Sequence, residues 1–258
     1  MDLAYTFSGF VVGAIVGMTG MGGGALMTPL LVLLFGVAPA TAVGTDLLYA
    51  AITKSGGAVV HARKEHVRWP VVAALSAGSL PGALATIAFL RAFPADYRTA
   101  DALLRNSLGG ALLLTATALV VSIVLKRRGR DDAPRSGWRE RRILPATVLV
   151  GLVLGVLVTL TSVGAGALGV TVLLFLYPSL PAARIVGTDI AHAVPLTLVA
   201  GLGHASLGTV DWGLLVALIV GSLPGIWLGS SLSARVPERV LRSGLAVLLA
   251  LIGARLLF

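Results

Sequence analysis

Residues 44–82 align without a gap onto residues 187–225, at a constant offset of 143, and 15 of those 39 positions are identical. Gly44-Thr45-Asp46 falls on Gly187-Thr188-Asp189, His61-Ala62 on His204-Ala205, and Trp69 on Trp212. Gly78-Ser79-Leu80-Pro81-Gly82 falls on Gly221-Ser222-Leu223-Pro224-Gly225. Two unrelated apolar segments would not share so much, so the chain is two copies of one unit. Internal repeats of this size restrict the fold to a symmetric assembly in which the functional site lies where the copies meet.

The medium in which the copies fold follows from their polarity. The chain is 57% hydrophobic and 12% charged, against about 25% charged in an average soluble domain. A soluble protein of 258 residues cannot hide that much apolar surface, whereas lipid solvates it. Mostly apolar stretches at 40–60, 70–90, 104–125, 183–203, 212–231 and 238–257 each match the ~20 residues that cross a ~30 Å hydrocarbon core. The expected class is an all-α polytopic integral membrane protein.

There is no cysteine, which removes disulfides and thiolate metal sites. The start Met1-Asp2-Leu3 has no basic stretch ahead of its apolar run and does not read as a cleaved signal peptide. The net charge of +9 is concentrated: residues 126–142 hold eight Lys or Arg (Lys126, Arg127, Arg128, Arg130, Arg135, Arg139, Arg141, Arg142) against Asp131, Asp132 and Glu140. A basic loop between apolar spans is a cytoplasmic connection by the positive-inside rule. Contact with anionic lipid is a secondary reading, and nucleic acid is not an expected partner.

That loop, with Pro134 and Gly137, divides the chain into repeat 1 (1–125), the loop (126–142) and repeat 2 (143–258). Each repeat reads as one long Gly-interrupted hydrophobic segment, at about 5–35 and 143–176, followed by three ordinary spans. Thirty-odd helical residues would reach ~45–50 Å, well beyond the hydrocarbon thickness. The weak points are Gly20-Met21-Gly22-Gly23-Gly24 and Ser162-Val163-Gly164-Ala165-Gly166. If each segment crosses, the repeats have four spans and are parallel; if each turns back as a re-entrant hairpin, they have three and are inverted. Loop 61–69 carries Arg63, Lys64 and Arg68, while 204–212 has no Lys or Arg and has Asp211. Equivalent loops of opposite charge bias belong on opposite faces, which favours inverted repeats with re-entrant hairpins; eight full spans in parallel repeats is the alternative.

Several constellations can carry chemistry. Each glycine costs about 1 kcal/mol in a helix, and non-helical backbone at membrane depth survives only when buried in protein or lining a cavity. Half-helices beginning towards Ala25 and Ala167 would point N–H groups and a positive dipole end there, a setting for an anion. Thr19, Thr161 and Ser162 add hydroxyls. Alternatively, the glycines only let helices pack closely. Asp46 and Asp189 lie about two turns into their spans, where a carboxylate is costly and rarely faces lipid. An ionised aspartate repels an anion; a protonated one donates a hydrogen bond to it, which suggests proton-linked transport. The bland reading is a carboxylate anchoring broken backbone.

Lys54 and His192 break the internal symmetry. Lys54, eight residues after Asp46, either attracts an anion, towards the region of Thr188, pairs with an aspartate, or snorkels to the interface. His192, one turn beyond Asp189, is a proton relay or a satisfied core histidine. His61 and His204 read as boundary residues beside the interfacial anchors Trp69 and Trp212, not as metal ligands. No nucleotide-binding loop, serine elbow or His-Glu-x-x-His pattern occurs, so neither ATP-driven pumping by this chain, nor an intramembrane enzyme, nor a bound cofactor is expected. A non-transporting membrane scaffold is the reading from a different class.

Gly13-x3-Gly17-x2-Gly20-x-Gly22-Gly23-Gly24-x4-Pro29, Val43-Gly44-Thr45-Asp46, the turn from His61 to Val67-x-Trp69, and Gly78-x3-Gly82 together resemble the TauE/SafE family of sulfite and organosulfonate exporters. The resemblance covers essentially the whole chain, the second copy repeating the pattern more loosely. It implies secondary export of a small sulfur oxyanion, such as sulfite or sulfoacetate, across the bacterial inner membrane. By the motif match, Gly20, Gly22, Gly23, Gly24, Thr45 and Asp46 would belong to the functional centre. With Thr19, Lys54, Ser162, Gly164, Gly166, Thr188, Asp189 and His192 they make up the expected substrate site. Ser162 and Ala165 stand where the first break has glycine, so symmetric substrate contacts are not required.

Overall fold

The computed structural model describes residues 3–19, 24–92, 97–127, 137–232 and 238–257, and every regular element among them is α-helical. In chain order these are α1 (Leu3–Thr19), α2 (Gly24–Phe35), α3 (Pro39–Arg63), α4 (Trp69–Ala92), α5 (Tyr97–Arg127), α6 (Gly137–Thr161), α7 (Ala167–Leu176), α8 (Ala182–Ser206), α9 (Trp212–Leu232) and α10 (Glu238–Leu257). The offset of 143 survives folding: α2 and α7, α3 and α8, and α4 and α9 begin at equivalent residues.

Local chemistry explains why the boundaries coincide. Pro39 opens α3 and Pro181 caps α8, supplying a helix-compatible φ where a missing N–H costs nothing. Both helices stop on a left-handed residue, Glu65 (φ 56) and its equivalent Gly208 (φ 74). The stops are pinned by His66 N–H to the His61 carbonyl at 2.9 Å and Thr209 N–H to the His204 carbonyl at 3.1 Å.

Six helices are long and apolar enough to cross a membrane: Trp69–Ala92, Ala102–Ile123, Ile143–Thr161, Ala182–Ser206, Trp212–Gly229 and Val240–Leu257. The sequence expectation for 40–60 differs from this set. That segment lies in α3, as long as α8 at 25 residues, but Asp46, Lys54, His61 and Arg63 dilute it. The helix is tolerated because Ala42–Ala51 is buried against other helices instead of lipid. Chains of this kind are multi-pass membrane proteins.

The Gly-interrupted segments form helix pairs in which α1, α2 and α7 are shorter than a span, whereas α6 over Ile143–Thr161 is long enough to cross. α1 and α2, of 17 and 12 residues, span ~26 and ~18 Å, and their far ends meet where Tyr5 packs on Phe35 with ring centroids 5.0 Å apart. In the second unit Thr147 Oγ1 and the Tyr177 hydroxyl, near the start of α6 and just past the end of α7, are hydrogen-bonded at 2.7 Å. α7 therefore runs back along α6. Its turn uses three left-handed residues, Ser162 (φ 57), Gly164 (φ 115) and Gly166 (φ 141). Thr161 Oγ1 secures the bend by accepting the Val163 N–H at 3.1 Å.

Helix association in lipid lacks a hydrophobic drive and relies on close backbone approach at small residues. α1 lies along α9, with Gly221, Gly225 and Gly229 stacked against the carbonyls of Thr6, Phe10 and Ala14. From the other side, a Cβ on Gly9 or Gly13 would come within 2.6 Å of the carbonyl oxygen of Leu218 or Ser222. α6 lies along α4 in the same way, Gly151 and Gly155 against Leu75 and Ser79, and Gly78 and Gly82 against Val148 and Leu152. Each unit's hairpin thus packs on the fourth helix of the other. α3 and α8 are antiparallel, since Gly44 touches His204, Leu48 touches Gly201 and Gly57 touches Ile190. α5 and α10 are antiparallel too, pairing Gly109 with Leu257 and Ser122 with Arg242.

Of the basic divider expected at 126–142, residues 126–127 end α5 and residues 137–142 open α6, while residues 128–136 lie outside the described residues.

Candidate functional site

The repeated Gly-Thr-Asp motif works one residue at a time. Gly44 and Gly187 let the helices approach: a Cβ on either would lie 2.8 Å from the Thr209 carbonyl oxygen or 2.6 Å from that of His66. Thr45 Oγ1 accepts the backbone N–H of Asp211 at 3.1 Å, and Thr188 Oγ1 accepts that of Arg68 at 3.0 Å. The threonine of each unit thereby fastens the helix-joining turn of the other. One position further, and ~100° round the helix, Asp46 and Asp189 turn towards the hairpins; both are buried.

Their surroundings differ. Asp46 Oδ2 accepts the hydroxyl of Thr28 on α2 at 2.5 Å, and the hydroxyl of Ser162, from the opposite hairpin, faces the same carboxylate. The threonine equivalent to Thr28 is Thr171, which donates to the carbonyls of Ala167 at 2.7 Å and Ala118 at 3.2 Å. Neither oxygen of Asp189 has a hydrogen-bond partner among the described residues. Its Oδ1 presses against Gly169 of α7, where any side chain would overlap it.

Lys54 is buried and donates from Nζ to the carbonyl of Ala165, within the hairpin turn of the other unit, at 2.5 Å. It lies within electrostatic reach of both Asp189 and Asp46. The expectation that Lys54 faces Thr188 gives way to this contact, because Thr188 donates instead to the Arg184 carbonyl at 2.6 Å. His192 is 1% exposed, with Nε2 2.8 Å from Ser79 Oγ on α4. In the other unit the equivalent Tyr49 hydroxyl sits by Ser222.

The expected site residues thus fall into groups. Asp46, Lys54, Ser162 and Asp189 converge on the tip of the second hairpin, which Gly164 and Gly166 shape; His192 stands one turn along α8. Thr45 and Thr188 are latches between units. Gly24 opens α2, while Gly20, Gly22, Gly23 and the side chain of Thr19 lie outside the described residues. His204, read from sequence as a boundary residue, is instead 1% exposed. Its Nδ1 is 2.9 Å from Thr209 Oγ1, and its Nε2–H donates to the Thr159 carbonyl at 3.0 Å. Trp69 and Trp212, by contrast, are 61% and 60% exposed, as anchors at the membrane surface should be. Sequence reasoning missed Thr28, Tyr49, Ser79 and Gly169. Only Ser79 carried a signal, as part of the repeated Gly-Ser-Leu-Pro-Gly.

Comparison with known proteins agrees with this architecture. The family profile described as Sulfite exporter TauE/SafE matches residues 5–256. The chain is 39% identical to the probable membrane transporter protein YjnA of Bacillus subtilis, over the full length of both. It is 29% identical to the probable membrane transporter protein YdhB of the same organism, over 96% of this chain and 97% of the relative. A probable membrane transporter protein of Xylella fastidiosa is 29% identical over 89% of this chain and 84% of its own. No solved structure matches. With its profile spanning nearly every residue and its relatives aligned end to end, the chain belongs to the TauE/SafE family of membrane transporters.

Proposed function

We propose that the protein exports a small sulfur oxyanion, sulfite or an organosulfonate such as sulfoacetate, across the bacterial inner membrane through the hairpin-tip site. The observation that carries this reading is the buried Lys54 ammonium, held against the second hairpin turn with the hydroxyls of Thr28 and Ser162 nearby. An ammonium and hydroxyl donors in a water-poor setting suit a tetrahedral or pyramidal oxyanion. The antiparallel pairing of α3 with α8 and of α5 with α10 supports an inverted relation of the two units, with the re-entrant hairpins entering from opposite faces.

Energetics favour export without ATP. An anion leaving a negative interior gains about 2.3 kcal/mol per charge per 100 mV. A dianion gains ~4.6 kcal/mol, which sustains about a thousandfold concentration ratio. Charge balance at the site points to protons as well. Lys54 with two ionised carboxylates leaves one net negative charge, which opposes an anion; one proton cancels it. Anion flux in proteoliposomes at clamped voltage, with and without a pH gradient, tests both parts. Transport of sulfite or sulfoacetate supports the substrate class, and flux indifferent to the gradient removes the coupling.

A second reading, in which Asp46 and Asp189 are ligands of a cation, draws on the three carboxylate oxygens that lack partners among the described residues: Asp46 Oδ1, Asp189 Oδ1 and Asp189 Oδ2. Under it Asp→Asn abolishes binding, whereas under the anion reading it alters the response to pH. Liposome flux also separates a transporter from a scaffold.

A further inference from the structure

The two aspartates are equivalent in sequence but not in surroundings, and two substitutions and one redirected threonine hydroxyl create the difference. Thr28 donates to one oxygen of Asp46, whereas its counterpart Thr171 spends its proton on backbone carbonyls. Leu26 of the first hairpin is replaced by Gly169, which opens the space that Asp189 fills. Lys54 is replaced in the second unit by Thr197, which donates to the Ala193 carbonyl at 2.8 Å. A single buried ammonium therefore serves two carboxylates, and it is anchored on Ala165.

From this asymmetry we infer that Asp189 is the proton-binding site of the transport cycle, carrying one proton with each exported anion, while Asp46 is a fixed anchor between the hairpins. The inference rests on the anion-export reading above and assigns its coupling to one residue. A buried carboxylate with no donor at either oxygen has nothing among the described residues to hold its charge except a proton or the field of Lys54. Asp46 accepts Thr28 at Oδ2 while its Oδ1 has no hydrogen-bond partner among the described residues, so it has one donor where Asp189 has none. The groups around Asp189 are few. α3 contributes Lys54 and Asp46, α8 itself His192, and α4 the Ser79 hydroxyl against that histidine. α7 and the stretch 143–161 of α6 contain no titratable side chain. The proton is bound at Asp189 when the anion occupies the site and is released with it on the far side; a dianion and its proton then carry one net negative charge outward, and the potential still contributes about 2.3 kcal/mol per 100 mV.

The experiment uses the full chain in proteoliposomes at clamped voltage and follows efflux of sulfoacetate, whose charge is fixed near neutral pH. An inside-acid gradient of one pH unit should accelerate wild-type efflux by up to ~10-fold. Asp189→Asn should lose the response to the gradient whatever its basal rate; Asp46→Asn should lower efflux and keep the response. A gradient response that persists in Asp189→Asn, or vanishes only in Asp46→Asn, overturns the assignment. Infrared difference spectroscopy of the purified protein decides independently of substrate. The inference expects a pH-dependent protonated-carboxyl band that Asp189→Asn removes and Asp46→Asn leaves; a band tied to Asp46, or none, contradicts it. If sulfoacetate and sulfite do not move at all, the export reading fails while the infrared result still judges Asp189. Asp189→Ser replaces the asparagine variant should the amide not fit beside Gly169.

Discussion

Lys54 of the first unit donates its ammonium proton to the main-chain carbonyl of Ala165, in the hairpin turn of the second. The bond joins a helix that crosses the protein's centre to the one place where described backbone leaves helical geometry at depth. A carbonyl in that position needs a donor, because water is absent from the bilayer core. Among the described residues the same ammonium is the only positive charge acting on Asp189. Structure and chemistry therefore meet at one side chain, and the following expectations flow from the contacts around it.

The two latches should be energetically alike. Thr45→Val and Thr188→Val each strip a part-buried backbone N–H of its acceptor while keeping the shape of the side chain. Each should lower stability by about 1–3 kcal/mol. Thermal unfolding of the purified variants in one detergent should give similar shifts, and the double variant a near-additive one. A large loss for one with none for the other would contradict the paired arrangement.

Glycines at the interfaces between units should differ sharply from those elsewhere. Gly221→Ala and Gly155→Ala place a methyl on the carbonyls of Thr6 and Ser79, with no flexible side chain to give way. A destabilisation of about 1–3 kcal/mol or more is expected, read as loss of monodisperse protein after extraction. Gly110→Ala and Gly244→Ala meet nothing within 4 Å and should be neutral or stabilising by up to ~1 kcal/mol.

The natural absence of cysteine makes sidedness directly measurable. Lys64→Cys and Leu207→Cys stand at equivalent positions just beyond α3 and α8. A membrane-impermeant thiol reagent should modify them from opposite faces of intact cells. Labelling of both from the same face would mean parallel repeats.

Much of the fold was legible in the chain because membrane helices announce themselves by length and apolarity, and because a repeated sequence repeats its boundaries. Trp69 and Trp212 mark helix starts that recur at the shift of 143, and a proline stands at the opening of both α3 and α8, Pro39 and Pro181. α3 was read as an ordinary apolar span; its polar residues instead mark a helix sheltered by its neighbours. The division of labour within Gly-Thr-Asp was not legible, since threonine and aspartate are adjacent in sequence but face different partners across a helix. Nor could Thr28 and Thr171 be told apart: both sit in apolar half-helices, and only the packing decides that one meets a carboxylate and the other a carbonyl. His204 looked like a boundary residue because it ends its helix, yet the turn at Gly208 folds Thr209 back over it.

The most direct measurement is voltage-clamped efflux of sulfite and sulfoacetate from proteoliposomes holding the wild-type protein or Lys54→Met. The account predicts that wild type moves both anions outward and that Lys54→Met, recovered folded, moves them at least ~10-fold more slowly, a loss of about 1.4 kcal/mol or more. Equal efflux by the two proteins, or none by wild type, would contradict it.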